Sequence, residues 1–316
     1  MSVRSEAAVI PGEWLAACLG ASVLVLAVLM HEAGLAIDPT AAGDLPFYAC
    51  GALAIGLCLG LRRRATRLQQ VVHDTAEYYA VFTLIGLLGT VGSYPDAANT
   101  HGFVDATLAR ADAAVGFDWV AWYRVVVAHP ALQLAGRLAY ESIYWTPVVI
   151  LGAFAWTGQR DRARVCLATF WVAGLLTLVL FRVMPAVGPL AYLWHGPVPY
   201  MPASALWQPV LIPPLRQHLL HTVDLGQLRG LVSAPSFHTA AAVLYIAAAW
   251  PMPRLRWPVL AMNAAMLLAT PVEGTHYLTD MLAGAAVAGV ALSAVGLVVS
   301  QRARASSARG AVMLTH

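Results

Sequence analysis

The chain has 316 residues, of which 59% are hydrophobic and 11% are charged, with a mean hydropathy of +0.68. Soluble domains carry about a quarter charged residues, so this composition indicates an integral membrane protein. All 19 basic residues are arginine, which excludes any mechanism that requires a lysine. The net charge of +3 and the scattered arginines exclude a nucleic-acid-binding protein with one concentrated basic face. The four cysteines lie in or beside apolar segments, where they predict buried thiols and no disulfide framework.

Eight apolar runs approach the length of about 20 residues that crosses a bilayer. They predict an all-α, polytopic membrane helix bundle of about eight spans. The first two runs belong to an N-terminal extension (residues 1–68), the other six to a core (69–300), and residues 301–316 to a disordered, basic tail. The runs are 13–36, 45–61, 71–93, 136–157, 163–184, 236–252, 257–272 and 278–299. The first run is too long for a cleaved signal peptide and is interpreted as a span.

The arginines predict how the bundle is oriented. Thirteen of the 19 lie in the N-terminal segment, in three connections near residues 62–67, 160–164 and 254–256, and in the tail. Because cytoplasmic loops are enriched in arginine, we expect these segments and both termini in the cytoplasm. The two long connections, 94–135 and 185–235, are therefore predicted to lie on the periplasmic or extracellular side, and we expect the membrane to be a bacterial inner (plasma) membrane.

The two long outer connections differ in composition. Residues 94–135 place apolar side chains at helical spacing, which predicts a helix or a helical pair lying in the membrane interface. Residues 185–235 are rich in proline, which predicts an irregular segment folded over the outer mouth of the bundle. This segment is either a simple cover or a lid over a site.

Five polar residues stand at the outer ends of three apolar runs, where polar groups are costly and therefore informative. Arg182 ends the fifth run, Ser236 and His238 begin the sixth, and His276 and Asp280 begin the eighth. Three separate spans are therefore expected to bring these side chains to one membrane depth.

The spacing of His276 and Asp280 predicts an activated imidazole. Residues at i and i+4 share one helix face, so the carboxylate can accept a hydrogen bond from one ring nitrogen while the other nitrogen stays basic. Such a ring can act as a nucleophile or a base. Taken alone, each histidine could instead be a packed interfacial residue.

The other outer residues are suited to binding an anion. Residues 235–238, Pro-Ser-Phe-His, are typical of a first helical turn, whose free N–H groups form an anion site beside His238. The guanidinium of Arg182 matches the geometry of phosphate oxygens. The alternatives are that Arg182 is a membrane anchor and that Ser236 is an ordinary helix cap.

These motifs resemble those of a known family. Residues 235–238, followed by His276 and Asp280, resemble the second and third motifs of the type 2 phosphatidic acid phosphatase superfamily. Arg182 with the following Pro185 is similar to the first motif. The resemblance covers roughly residues 70–300.

The chain departs from the usual superfamily motifs in three places. It has no lysine, Phe237 replaces a glycine, and Ala269-Thr270 replaces Ser-Arg. These departures, together with the stretch from Asp105 to Tyr140, resemble the branch that contains fungal inositol phosphorylceramide synthase and related bacterial phosphotransferases.

The resemblance implies a six-helix phosphatase-type core and a phosphoryl transfer in two displacements, without metal or cofactor. By analogy, His276 attacks phosphorus and becomes a phosphohistidine, Asp280 holds its ring, and His238 protonates the leaving oxygen. Ser236, backbone amides and Arg182 bind the phosphoryl oxygens. The implied partners are a lipid substrate in the membrane and an alcohol or polyol acceptor, or water.

Several alternatives remain open from sequence. The protein could instead be a phosphatase for phosphatidic acid or polyprenyl phosphate, a non-enzymatic lipid transporter, or a haem protein with His238 and His276 as axial ligands. Glu141, Tyr140 and Tyr144, at the outer start of the fourth run, are possible substrate contacts. The two tyrosines could equally belong to an interfacial aromatic belt.

Overall fold

The computed structural model describes residues 10–313, with side chains through residue 305. Predictions for Arg4 and for the Arg309 side chain lie outside this part. The helices, in chain order, are α1 (Gly12–Glu32), α2 (Leu45–Gly60), α3 (Arg67–Ala98), α4 (Asp105–Ala114), α5 (Trp119–Ala128), α6 (Pro130–Thr157), α7 (Arg160–Phe181), α8 (Pro189–Leu193), α9 (Trp207–Arg216), α10 (Phe237–Ala249), α11 (Arg256–Glu273) and α12 (Leu278–Met313). Two short strands, β1 (Ala36–Ile37) and β2 (Thr222–Val223), pair in parallel, with Ala36 opposite Thr222.

The predicted all-α membrane bundle is confirmed. A helix occupies each of the eight apolar runs, namely α1, α2, α3, α6, α7, α10, α11 and α12. Five helical segments of the described chain are long and apolar enough to cross a membrane, and α10 is a shorter apolar helix. Their apolar composition explains why large side chains such as Leu24, Trp145 and Leu297 remain on the outside of the bundle.

The main core lies among α3, α6, α7, α10, α11 and α12. In it, α6 packs on α11, α10 packs on both α11 and α12, and α3 packs on α7. Phe154, Tyr245 and Met266 are fully buried where these helices meet. The two N-terminal helices, α1 and α2, pack against α3 from the outside of this group.

The outer connections are more ordered than the sequence predicted. Residues 94–135 form the expected helical pair, α4 and α5. The irregular segment expected over 185–235 is wrong in part, because it contains α8 and α9. Pro213 and Pro214 lie inside α9 and each removes one backbone hydrogen bond. Burial of Ile212 and Leu215 on the same helix offsets that loss.

The disordered tail predicted over residues 301–316 is also wrong for its described part. The backbone of α12 continues without a break to Met313. Arginine and alanine dominate residues 301–305, both residue types favour helix, and no proline interrupts this stretch.

Candidate active site

His276 and Asp280 form the contact that their spacing predicts. His276 lies just before α12 and Asp280 lies in its first turn, with Nδ1 of the ring 2.9 Å from Oδ1 of the carboxylate. The other carboxylate oxygen accepts from the backbone N–H of Tyr277 at 2.8 Å. Both side chains are buried. Asp280 therefore fixes the orientation of the ring and leaves Nε2 as the ring nitrogen that is not engaged by the carboxylate.

His238 stands across from His276. It is the second residue of α10, and its ring centroid lies 6.4 Å from that of His276, with the planes tilted by 52°. Tyr140 of α6 stacks on the His238 ring at 3.9 Å, with an angle of 14° between the rings. The Tyr140 hydroxyl also lies 3.1 Å from Nδ1 of His238. Because the two rings are nearly parallel, Tyr140 positions the imidazole mainly by stacking on its face.

A glycine permits the close approach of these groups. A Cβ on Gly274 would lie 2.5 Å from Cδ2 of His276 and 2.9 Å from Cε2 of Tyr140. The next residue, Thr275, has a positive φ of 51°, which is unusual for a β-branched residue. Strained backbone of this kind is found at functional sites, where surrounding contacts maintain it.

Two buried carboxylates of α4 fix the segments that surround His276. Asp112 accepts from the N–H groups of the first two residues of α12, at 2.9 and 2.8 Å, and from the hydroxyl of Thr279 at 2.6 Å. Asp105 accepts from the N–H groups of residues 187 and 188, at 2.9 and 3.0 Å, and from the hydroxyl of Tyr277 at 3.0 Å. Burial, followed by proximity to Asp105, raises the pKa of Tyr277, so the phenol stays protonated and donates.

Glu273 joins the proline-rich outer segment to the end of α11. This buried carboxylate accepts from the hydroxyl of Tyr200 at 2.7 Å and from the N–H of Ala203 at 3.0 Å. Burial, then the bond to Glu273, raises the pKa of Tyr200 to about 12, so the phenol remains a donor. The outer segment is thus anchored three residues before His276.

Arg137 of α6 adds a positive charge beside this anchor. Its guanidinium lies over the Tyr200 ring, 5.9 Å from the centroid, and donates to the carbonyl of Met201 at 3.1 Å. The sequence motifs gave no role to Arg137 or Glu273. The available signal was a charged residue at the outer end of an apolar run, which is the criterion that selected Arg182.

Ser236 caps the N-terminus of α10, as its alternative interpretation predicted. Its Oγ accepts from the N–H of Thr239 at 3.3 Å and from the Thr239 hydroxyl at 3.2 Å. Its own N–H donates to the carbonyl of Asp280 at 3.1 Å. Ser236 therefore connects the start of α10, which carries His238, to the start of α12.

The other predicted site residues lie at different distances from the histidines. Arg182 forms an ion pair with Asp96 of α3, at 3.6 Å, and its side chain is 45% exposed. The structure therefore pairs Arg182 with a carboxylate and does not bring it into contact with His238 or His276. Glu141 is exposed on α6, one turn after Arg137, and Tyr144 is 71% exposed on the outside of the bundle.

In the described part of the chain, one group of potential metal ligands lies on α3, away from His238 and His276. His73, Asp74 and Glu77 place ligand atoms within 4.8 Å of one another near the start of α3. Arg160 already binds both oxygens of Asp74, at 2.7 and 2.8 Å. A charge-neutralised carboxylate of this kind is a poor ligand for a cation.

One of three comparisons with known proteins gave a match. The family model of the PAP2 superfamily matches residues 106–294, which is more than half of the chain. No curated protein and no solved structure matches significantly. The matched region contains His238, His276 and Asp280, and it indicates a phosphatase-type enzyme acting on lipid phosphates. The chain thus belongs to the PAP2 superfamily.

Proposed function

We propose that the protein is a phosphotransferase that acts on a lipid-linked phosphate at the outer face of the membrane and passes a phospho-headgroup to an alcohol acceptor. The observation that carries the proposal is the buried pair of His276 and Asp280, with His238 6.4 Å away across the site. The arginine distribution supports a periplasmic or extracellular site and cytoplasmic termini in a bacterial inner membrane.

In the first step, Nε2 of His276 attacks the phosphorus of the donor. A nitrogen–phosphorus bond forms and the phosphorus–oxygen bond to the lipid leaving group breaks. Asp280 holds the proton on Nδ1, which keeps the attacking lone pair on Nε2 and balances the charge that develops on the ring. His238 donates a proton to the leaving oxygen. The stack with Tyr140 keeps the His238 ring in place for this transfer.

In the second step, an acceptor hydroxyl attacks the phosphohistidine. His238, now neutral, takes the hydroxyl proton, and the nitrogen–phosphorus bond breaks to restore His276. The same two histidines thus serve both displacements. Water in place of the alcohol would complete hydrolysis, so the phosphatase alternative uses the same first step.

The negative charge on the phosphoryl oxygens needs fixed donors. The N–H of Thr239 is already bound by Ser236, so we assign this role to the N–H groups of Phe237 and His238 at the start of α10. We assign the guanidinium that binds the phosphoryl oxygens to Arg137, because Arg137 lies one turn before Tyr140 on α6. Arg182, by contrast, is paired with Asp96. Arg182 remains an alternative if substrate displaces it from Asp96.

The small number of cations supports a diester donor and an alcohol acceptor. A phosphate monoester is doubly charged and is bound best by several fixed cations, but the chain has no lysine and has Thr270 where the superfamily usually has arginine. A phosphodiester carries one negative charge and needs fewer cations. The resemblance to the branch that contains inositol phosphorylceramide synthase and related bacterial phosphotransferases supports a transferase, and we propose a polyol such as inositol or a glycosyl unit as the acceptor.

The test supplies purified enzyme with a phospholipid labelled at phosphorus and with inositol, glycerol or a glycoside in competition with water. We expect label to appear in the phosphorylated acceptor, and His276→Ala to abolish its formation. Label found only as free phosphate or headgroup phosphate, together with rapid hydrolysis of phosphatidic acid, would identify a phosphatase. Lipid movement without any turnover would instead identify a transporter.

A further inference from the structure

A cavity lies at the other end of the bundle from the two histidines. It has a volume of about 470 Å³, is lined by α1, α3 and α7, and is open on one side. Sites for small ligands have volumes of about 300–1,000 Å³. We propose that this cavity binds one acyl chain and the anionic headgroup of a phospholipid from the leaflet on the arginine-rich side.

The cavity has room for a ligand because α1 presents small residues to it. Gly12, Ala16 and Gly20 follow at intervals of four residues and therefore share one face of α1. A Cβ on Gly20 would have no heavy atom within 4 Å. Leucine and valine side chains from all three helices line the remaining wall, among them Leu19, Leu84 and Leu167. This shape and chemistry match an acyl chain.

One end of the cavity carries polar groups that lack a partner. Tyr78 is 1% exposed, and its hydroxyl has no hydrogen-bond partner in the described part of the chain. Nε of Arg164 is likewise buried without a partner there. The Arg164 guanidinium lies against the start of α1, where a Cβ on Gly12 would be 3.2 Å from Nη2. A buried polar group without a partner is costly, so these donors favour a ligand that supplies acceptors.

The Arg164 guanidinium is the group at this end that can bind an anionic ligand. Glu77 is the acidic residue that lines the cavity, and its carboxylate lies 3.7 Å from Nδ1 of His73. The neighbouring Asp74 is bound by Arg160. Nε of Arg164 has no hydrogen-bond partner among the described residues, so the guanidinium can donate to phosphate oxygens.

Most of the cavity wall lies before the matched family region, and Arg164 and Leu167 of α7 lie inside it. The family match begins at residue 106, so two of the three walls, α1 and α3, lie before it. The proposal is therefore independent of the reaction assigned to His276.

The test uses full-length protein in nanodiscs of phosphatidylcholine that contain a phosphatidylglycerol probe with a photoreactive acyl chain. We expect cross-links on α1 and α3, competed by unlabelled phosphatidylglycerol and not by phosphatidylcholine. Arg164→Gln should reduce cross-linking at least ten-fold, whereas Arg164→Lys should keep it within about three-fold. Arg63→Gln, which changes an exposed arginine on the same side, is the matched control and should have no effect.

Two further variants test the shape of the cavity and the tyrosine hydroxyl. Ala16→Leu should abolish cross-linking by filling the apolar body, while Gly56→Leu on α2, where a Cβ meets open space, should not. Tyr78→Phe should reduce cross-linking about three- to five-fold, the effect of one lost hydrogen bond. Equal labelling by a phosphatidylcholine probe, or unchanged labelling in Arg164→Gln and Ala16→Leu, would mean annular lipid only and would overturn the proposal.

Discussion

The close contact between α10 and α12 predicts that a larger residue at Gly284 disturbs the active site. Gly284 lies one turn after Asp280 on α12, and its Cα approaches the start of α10. In Gly284→Ala the new Cβ would overlap the carbonyl oxygen of Ser236, and it would lie 3.1 Å from the carbonyl carbon and 3.3 Å from Cβ of Thr239. Favourable carbon contacts require about 3.5–4.0 Å. Because the obstacle is backbone, the two helices must move apart.

The size of the effect follows from two opposing terms. Overpacking a tightly packed contact costs about 1–3 kcal/mol, and overlap with backbone belongs at the upper end. Replacing a glycine inside a helix by alanine contributes up to about 1 kcal/mol in favour of folding. We therefore expect a net loss of about 2 kcal/mol. The displacement also separates His238 from His276, and a misplacement of about 1 Å costs about 100-fold in rate.

The assay compares Gly284→Ala with Gly289→Ala on the same helix. A Cβ at Gly289 meets no heavy atom within 4 Å, so this control has the same gain in helix propensity without the overlap. Transfer of label from the phospholipid donor to the acceptor, and the temperature of thermal unfolding, should be unchanged or slightly improved in the control. Wild-type turnover in Gly284→Ala would refute the inferred closeness of α10 and α12, and with it the geometry of the histidine pair.

Four other predictions address the chemistry and the orientation. Asp280→Asn should lower kcat by about 10³–10⁴-fold, as expected when the partner that orients a catalytic imidazole is lost, and phosphoenzyme trapping should show the same loss. Arg137→Gln should lower kcat/KM at least ten-fold and Arg182→Gln less than three-fold. The reverse order would show that Arg182 is the arginine that binds the phosphate. Activity should survive EDTA, because the phosphoryl charge is assigned to arginine and backbone amides, and strict dependence on an added divalent ion would contradict this. Gln217→Cys, an exposed outer position in a background without the native cysteines, should react with an impermeant thiol reagent in intact cells, and labelling only after lysis would reverse the topology.

The sequence alone determined the features that depend on local periodicity. Each of the eight apolar runs forms a helix, because an apolar segment inside a bilayer must satisfy its backbone hydrogen bonds internally. The contact of His276 with Asp280 followed from the spacing of four residues, since a helix brings such residues together wherever it lies.

Only the tertiary structure decided which distant residues meet. Tyr140 stacks on His238 across 98 positions, and Arg182 contacts Asp96 of another helix in place of the histidines. The prolines of α9 predicted an irregular segment, but a helix forms there because burial of Ile212 and Leu215 offsets the missing backbone hydrogen bonds. Periodicity specifies which face of a helix is apolar, whereas the partner of a polar side chain depends on how separate helices rotate and approach, and that is set by packing over the whole bundle.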